Sequence, residues 1–178
     1  MKPTDILLVP VLPVDEWIIP TLISPLEKEF QRSVSISDEI MDASFAHDIS
    51  RQQYNSTIIL ASFQNIFNEG VFKALGVTSA DLYVPVLTYV FGEAQLDGRF
   101  GVVSLWRLDN ALYGLSENKN LLVERLVKEA VHEMGHIYGL FHCRNYECVM
   151  HSSTAVDDID VKDSVLCEQC KSIYLNKI

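Results

Sequence analysis

The run His132-Glu133-Met134-Gly135-His136-Ile137-Tyr138-Gly139-Leu140-Phe141-His142 constrains this chain more than any other feature. His132 and His136 are four residues apart, so a helix places them one turn apart on one face. Both imidazoles can then reach a single metal ion at roughly 2.0–2.1 Å. Glu133 falls on the adjacent flank, near enough to hold a water at that metal but poorly placed to ligate it. Gly139 can leave the helix through positive φ at little cost. The chain then reverses and offers His142 as a third ligand. Three protein ligands leave one position open for water, as a catalytic zinc site requires. A bare H-E-x-x-H also fits a solvated helix face. The third histidine at this offset, with glycine between, separates the two readings.

All four cysteines follow this string: Cys143, Cys148, Cys167 and Cys170. Their C-x4-C and C-x2-C spacing is close to that of a tetrahedral four-thiolate zinc site, which is closed and structural. Two disulfides or four buried thiols would use the same residues. Zinc is the expectation, because nothing in the sequence points to an oxidising compartment. Cys167-Glu168-Gln169-Cys170 lies near the C-terminus and outside a βαβ unit, unlike a thioredoxin-type redox pair.

From His132 to Cys170 the pattern is H-E-x-x-H-x-x-G-x-x-H-C-x4-C-x-M, a spacer, then C-x-x-C. It resembles the archaemetzincins, small metzincin-like zinc peptidases. Arg51-Gln52-Gln53-Tyr54-Asn55-Ser56-Thr57, Val90-Phe91-Gly92-Glu93-Ala94, Ser104-Leu105-Trp106-Arg107-Leu108 and Lys128-Glu129-Ala130 also look like that family. The resemblance implies that His132, His136 and His142 bind catalytic zinc, that Glu133 is the general base, and that the four cysteines hold a second zinc. Met150 then matches the methionine turn beneath the metal; by itself it reads as a core methionine. Many metzincins carry a tyrosine two residues after that methionine, where this chain has Ser152. The resemblance also points to aminopeptidase action on short peptides. Such an enzyme needs an acidic group for the substrate ammonium, and Glu93 is the candidate.

With 178 residues, the chain fits one domain with a sizeable core. The expected division is residues 1–139 and a zinc-stapled C-terminal subdomain, 140–178. A net charge of −10 with no basic stripe argues against a nucleic-acid partner. Met1-Lys2-Pro3-Thr4-Asp5 followed by an apolar stretch mimics a short signal peptide. Asp5, Pro10 and Pro13 interrupt it, and no small-residue cleavage site follows. No run is long enough to span a bilayer. The expectation is a cytoplasmic peptide-cleaving protein with no membrane contact; its oligomeric state is left open.

Ile6-Leu7-Leu8-Val9 reads as a strand covered on both faces. Trp17–Phe30 has helical spacing, shortened or kinked by Pro20 and Pro25. Ser33–Ile36 reads as a second strand and Leu82–Val86 as a third. Tyr54–Phe67 reads as a helix capped by Asn55 or Ser56. Thr88–Leu96 and Arg99–Trp106 flank Asp97-Gly98, a hairpin signal. The Thr88–Leu96 strand should lie at the sheet edge facing the cleft, where a substrate backbone could pair with it. Asn120–Tyr138 is a helix whose apolar stripe is Val123, Leu126, Val127, Ala130, Met134 and Ile137, with Glu124 and Lys128 paired on the outside. After Gly139 the periodicity fades. Asp157, Asp158, Asp160 and Asp163 read as a solvated acidic loop, since an EF-hand's glycine and glutamate are missing. His47 and His151 read as ordinary polar histidines. The expected fold is a metzincin-like α/β (α+β) domain. Its mixed twisted sheet has one antiparallel edge strand, a backing helix and an active-site helix.

The chemistry expected of this set is hydrolysis of a peptide bond by water at a three-histidine zinc, with Glu133 taking and returning the proton. Three other readings use some of the same residues. Some RNA-processing endonucleases carry H-x3-H-x5-H, but Glu133 and the acidic charge oppose that class. A non-catalytic zinc protein would have no need of Glu133. A thiol-based zinc switch would use the cysteines alone.

Overall fold

The structure is a computed structural model that describes residues 5–67 and 73–177. Residues 1–4 of the signal-like N-terminal stretch lie outside the described residues. In chain order the elements are β1 (Ile6–Leu12), α1 (Ile23–Phe30), β2 (Val34–Ile36), β3 (Met41–Asp42), β4 (His47–Asp48), β5 (Gln53–Asn55), α2 (Ser56–Ile66), β6 (Lys73–Thr78), β7 (Leu82–Tyr83), β8 (Gly92–Ala94), β9 (Phe100–Ser104), α3 (Lys119–Ile137), α4 (Val156–Val161) and α5 (Glu168–Leu175). A 3-10 turn over Glu16–Leu22 leads into α1, with Pro20 inside it, so the prolines shorten this helix as expected.

The principal sheet has the order β2-β1-β6-β9-β8. Its first four strands are parallel, and β8 pairs antiparallel with β9 at the edge. This is the expected mixed sheet with one antiparallel edge strand. Asp97 turns the hairpin at φ 53°, a conformation that aspartate tolerates better than most residues. Strands β4, β5 and β7 form a second, smaller sheet.

Two strands differ from the sequence expectation: Thr88–Leu96 contributes only Gly92–Ala94, and a second is shorter and placed elsewhere. Leu82–Val86 contributes only Leu82–Tyr83, and it pairs with β5 in the small sheet. The central place in the main sheet is taken by β6. That strand, Lys73-Ala74-Leu75-Gly76-Val77-Thr78, opens on a lysine and has a glycine in its middle, both weak strand signals. The glycine is required by packing. A Cβ at Gly76 would sit 2.9 Å from Phe63 on α2 and 3.0 Å from Val11 on β1.

The sheet separates two apolar layers. On one face Ile6, Leu8, Leu75, Val77 and Val103 pack against α1 and α3. On the other Val9, Val11, Ala74, Phe100 and Val102 pack against α2. Both faces are covered, which is why β1 is nearly continuous in apolar residues. The first layer continues past Gly139 through Cys148, Val149, Met150, Ile159 and Tyr174, so the described residues after Gly139 share the core of the rest.

An aromatic group fastens the C-terminal helix. The Phe30 ring stacks on Tyr138 at 5.2 Å and meets Tyr174 edge-on at 5.4 Å. The Tyr174 hydroxyl donates to the Phe30 carbonyl at 2.5 Å, and the Glu29 carboxylate accepts from the Leu166 backbone. The last third of the chain is less irregular than its sequence implied. Asp157, Asp158 and Asp160 lie in α4 instead of a loop, whereas Asp163 lies in the exposed segment after it, as expected. Asp158 accepts from the Thr154 and Ala155 amides, and Asp160 pairs with Arg125. These bonds, local at Asp158 and long-range at Asp160, organise a segment too short to show periodicity.

Replacing Phe30 by alanine removes the ring that joins α1, α3 and α5. We expect a loss of about 3–5 kcal/mol. In urea unfolding of the metal-replete protein, the midpoint should fall with the slope unchanged.

Candidate metal centre and cleft

Helix α3 carries the centre. Asn118 caps its start, its side chain accepting from the Leu121 amide at 3.1 Å. Leu126, Ala130, Met134 and Ile137 are fully buried under the sheet. Lys128 pairs with Glu124 at 2.8 Å as its spacing suggests, but its side chain is buried, not on the outside; it also donates to the Asp160 carbonyl. With the apolar stripe pinned, the opposite flank turns His132, Glu133 and His136 toward a cleft of about 480 Å³.

The helix ends at Ile137, and Gly139 takes φ 80°. The chain reverses there and brings His142 beside the other two histidines. The potential ligand atoms of His132, His136 and His142 all lie within 4.8 Å of one another. Two further bonds set the imidazoles' orientation. His132 donates through Nδ1 to the Val149 carbonyl at 2.8 Å, and His136 through Nδ1 to the Leu140 carbonyl at 2.8 Å. A neutral imidazole with its proton on Nδ1 presents a bare lone pair at Nε2. The two Nε2 atoms face each other at 3.1 Å. Two lone pairs at that distance repel unless a cation lies between them. The separation is near the edge of a tetrahedron with bonds of roughly 2.0–2.1 Å. Burial, with the Lys162 charge adding to it, lowers the pKa of His132 well below the usual range. Burial likewise lowers His136 and His142. The neutral form that ligates metal is therefore favoured at all three.

Met150 lies directly under this helix. A Cβ on Gly135 would overlap Met150 Sδ, so the H-E-M-G-H spelling reflects close approach of the methionine turn. Glu133 is buried and receives no hydrogen bond from the described residues. Its nearest opposing surface is Gly92 on β8, where a Cβ would come 2.7 Å from Glu133 Oε1. Burial, with Glu129 and Glu93 nearby, raises its carboxyl well above the ordinary value; Lys162 opposes them. A carboxylate with such proton affinity and no partner is suited to accept a proton from water.

The four cysteines are reduced and form the second cluster, with their sulfurs within 4.8 Å of one another. Cys143 Sγ lies 3.8 Å from Cys167 Sγ, and Cys148 Sγ 3.8 Å from Cys170 Sγ. Disulfide bonding requires about 2.05 Å. Instead, 3.8 Å is roughly the edge of a tetrahedron of thiolates about 2.3 Å from zinc. Burial pushes the Cys148 and Cys170 thiols up, so a cation is needed to hold both as thiolates.

The other histidines serve locally. His151 donates to the Cys143 carbonyl at 2.9 Å, and His47 packs on Tyr54 at 4.8 Å. Glu93 lines the cleft, as expected, and is itself held: Ser56 Oγ donates to it at 2.5 Å and Thr57 Oγ1 at 2.9 Å. Ser152 also lines the cleft.

Sequence reasoning missed the ion pair beneath the cleft. Lys162 Nζ bonds Glu129 Oε1 at 3.1 Å, with the two side chains 0% and 4% exposed. Lys162 also donates to the His151 carbonyl. The pair joins α3 to the end of α4, 33 residues away. A local pattern cannot report such a partner.

The comparisons with known proteins bear on this geometry. The family model described as peptidase family M54 matches residues 39–176. An archaemetzincin of Thermococcus kodakarensis is 36% identical over 179 residues, covering 97% of this chain and 96% of its own. The chain belongs to peptidase family M54, the archaemetzincins. An archaemetzincin of Methanocaldococcus jannaschii is 46% identical over 126 residues, 71% of this chain and 68% of that one. The crystal structure of an archaemetzincin from Archaeoglobus fulgidus, complexed with malonate, superposes with a TM-score of 0.81 at 37% identity, covering 97% of this chain and 99% of that one. A structure of a zinc-dependent peptidase from Methanocorpusculum labreanum gives 0.84 at 29% identity, covering 95% of this chain and 99% of that one. Metalloproteinase-II of Bacteroides fragilis shares the fold alone, at 14% identity and TM-score 0.57, covering 100% of this chain and 54% of that one. Membership of the archaemetzincins makes the protein a metallopeptidase, and no helix among the described residues is long and apolar enough to cross a membrane.

Breaking a buried pair strands a charge. Lys162→Met should therefore destabilise the protein by about 3–5 kcal/mol, whereas Glu129→Leu with Lys162→Met should recover most of that loss. Equilibrium unfolding of the single and double variants checks this; equal losses in both would assign the effect to packing instead of charge.

Proposed function

We propose that this protein is a two-zinc aminopeptidase acting on short peptides. His132, His136 and His142 hold the catalytic zinc, and Cys143, Cys148, Cys167 and Cys170 hold a structural one. The observation that carries the reading is the pair of facing Nε2 atoms 3.1 Å apart, each with its Nδ1 proton committed to a carbonyl. The cysteine zinc staples residues 140–178 as a subdomain, with metal binding there coupled to folding. Reduced thiols fit a reducing, cytoplasmic setting, and the acidic charge offers no surface for nucleic acid.

Zinc, when bound, brings a water's pKa toward neutrality and polarises the scissile carbonyl. The remaining work falls to side chains. Glu133 takes the proton as water attacks the carbonyl carbon, then delivers it to the leaving amine. The free edge of β8 offers backbone groups along which an extended substrate can pair. Glu93, fixed by Ser56 and Thr57 one residue beyond Gly92, holds the terminal ammonium.

Elemental analysis of fresh, reduced protein should find two zincs per chain, and His132→Ala should lose one. Chelators should strip the histidine site first, because it retains an open position. A single zinc unaffected by His132→Ala would overturn the assignment. Glu133→Gln should keep both metals and lower turnover roughly 10²–10⁴-fold. Activity within a few-fold of wild type would remove Glu133 from the mechanism.

The aminopeptidase reading has its own test. A charge-assisted bond to the ammonium contributes about 1.5–3 kcal/mol, or roughly ten- to a hundredfold in kcat/KM. N-acetylation of a peptide, or Glu93→Gln with the free peptide, should each cost that factor. Equal cleavage of free and acetylated peptides would exclude exopeptidase action. Sensitivity to acetylation without sensitivity to Glu93→Gln would assign the ammonium to another carboxylate.

A further inference from the structure

Tyr89 stands three residues before Gly92, the point where the edge strand meets Glu133. Its hydroxyl donates to the Thr154 carbonyl at 2.8 Å. Tyr89, just before the edge strand, and Thr154, on the segment after Met150, both line the cleft, and this bond joins the two segments across it. Both ends of the span are held. The Arg107 guanidinium lies 4.5 Å from the Tyr89 ring centroid, and Phe91 meets the ring edge-on at 5.6 Å. Arg107 is itself fixed by two bonds to Asp81, at 2.8 and 2.6 Å. Across the cleft, the Thr154 amide and hydroxyl both donate to Asp158, at 2.8 and 3.0 Å.

Behind the span lies a second cavity of about 290 Å³. Tyr89 lines it as well as the cleft; Tyr113, Leu115, Arg125 and Val156 are among its other walls. Arg125 is occupied by Asp160, Leu108 and Asn110, so the cavity offers no free cation. Asp157 adds an exposed carboxylate to its wall, so what remains suits a neutral or basic side chain.

The geometry points to one continuous groove divided by a crossbar, in which the Tyr89–Thr154 hydrogen bond sets how many substrate residues fit on that side of the scissile bond. The inference deepens the proposed peptidase function and rests on it. The three residues from Tyr89 to Gly92 span at most about 10 Å, since fully extended chain rises roughly 3.3 Å per residue and this stretch bends at Phe91. Two to three substrate residues fill that length. A longer peptide must break the bond to enter the second cavity. Tyr89 is thus a specificity-determining residue.

The test uses binding, so that it does not depend on turnover. Zinc-loaded Glu133→Gln protein, with and without Tyr89→Phe, is titrated calorimetrically with unlabelled peptides lengthened one residue at a time at either end. With Tyr89 present, affinity should stop rising beyond about three residues on one side. With Tyr89→Phe the limit should disappear, and the longer peptides should gain about fivefold over the short ones, the scale of one neutral hydrogen bond. Because Glu93 is taken to hold the ammonium on the other side of Gly92, the limit should fall on the C-terminal side of the peptide. A flat length dependence on both sides, or a limit unchanged by Tyr89→Phe, would overturn the crossbar. Cleavage of peptides without any such limit would do so while leaving the peptidase reading intact. Failure of every peptide to bind the zinc-loaded protein would remove the peptide-binding reading of the cleft and the crossbar together.

Discussion

Two imidazole-to-carbonyl hydrogen bonds tie the chain that returns after Gly139 to helix α3. His132 reaches Val149 and His136 reaches Leu140, both on the returning chain. Each bond does two things at once: it fixes the tautomer that exposes Nε2, and it fixes where the returning chain lies. The methionine turn and His142 are consequently placed by the same contacts that prepare the ligands. Gly135 and Gly139 make this approach possible, one by clearing Met150 and the other by turning the chain at φ 80°. The site is therefore a property of helix and return segment together, and neither could present it alone.

The cysteine cluster extends that logic. Cys143 follows His142 directly, and its amide donates to the Met150 carbonyl at 2.9 Å. One short segment thus contributes to both clusters. Cys167 and Cys170 come from the start of α5, which the aromatic contacts of Phe30, Tyr138 and Tyr174 hold against the core. A cation bound by the four sulfurs would stiffen the segment that carries His142, the most exposed of the three histidines.

How much of this can be read in the sequence depends on the range of the interaction. The histidine string, the Gly139 reversal, the Asp97-Gly98 hairpin and the Asn55 cap are each decided within about ten residues, and each is visible as a spacing. β6 is obscured because its glycine answers to Phe63 and Val11, partners far along the chain. Lys162 reads as one more surface lysine until Glu129 is placed beside it. Tyr89 gives no local signal at all, since its significance lies in a carbonyl 65 residues later. Helices α4 and α5 have only six and eight residues, too few for periodicity to emerge.

Charge placement around α3 shows why the centre can be chemically active. Burying ionised groups is costly unless they are paired, and this helix buries several. Arg125 meets Asp160, Lys128 meets Glu124, and Glu129 meets Lys162. Even Glu29, on the neighbouring helix, accepts from the Leu166 amide. Glu133 is the exception: buried, flanked by two like charges, and given no hydrogen bond by the described residues. Among the described residues the other buried carboxylates are satisfied, and here one is left with a raised proton affinity beside three converging imidazole lone pairs. A cation at those lone pairs would offset the repulsion among the acids and lower the proton affinity of Glu133. Occupancy of the histidine cluster and the proton affinity of the neighbouring carboxylate would thus be coupled through electrostatics alone.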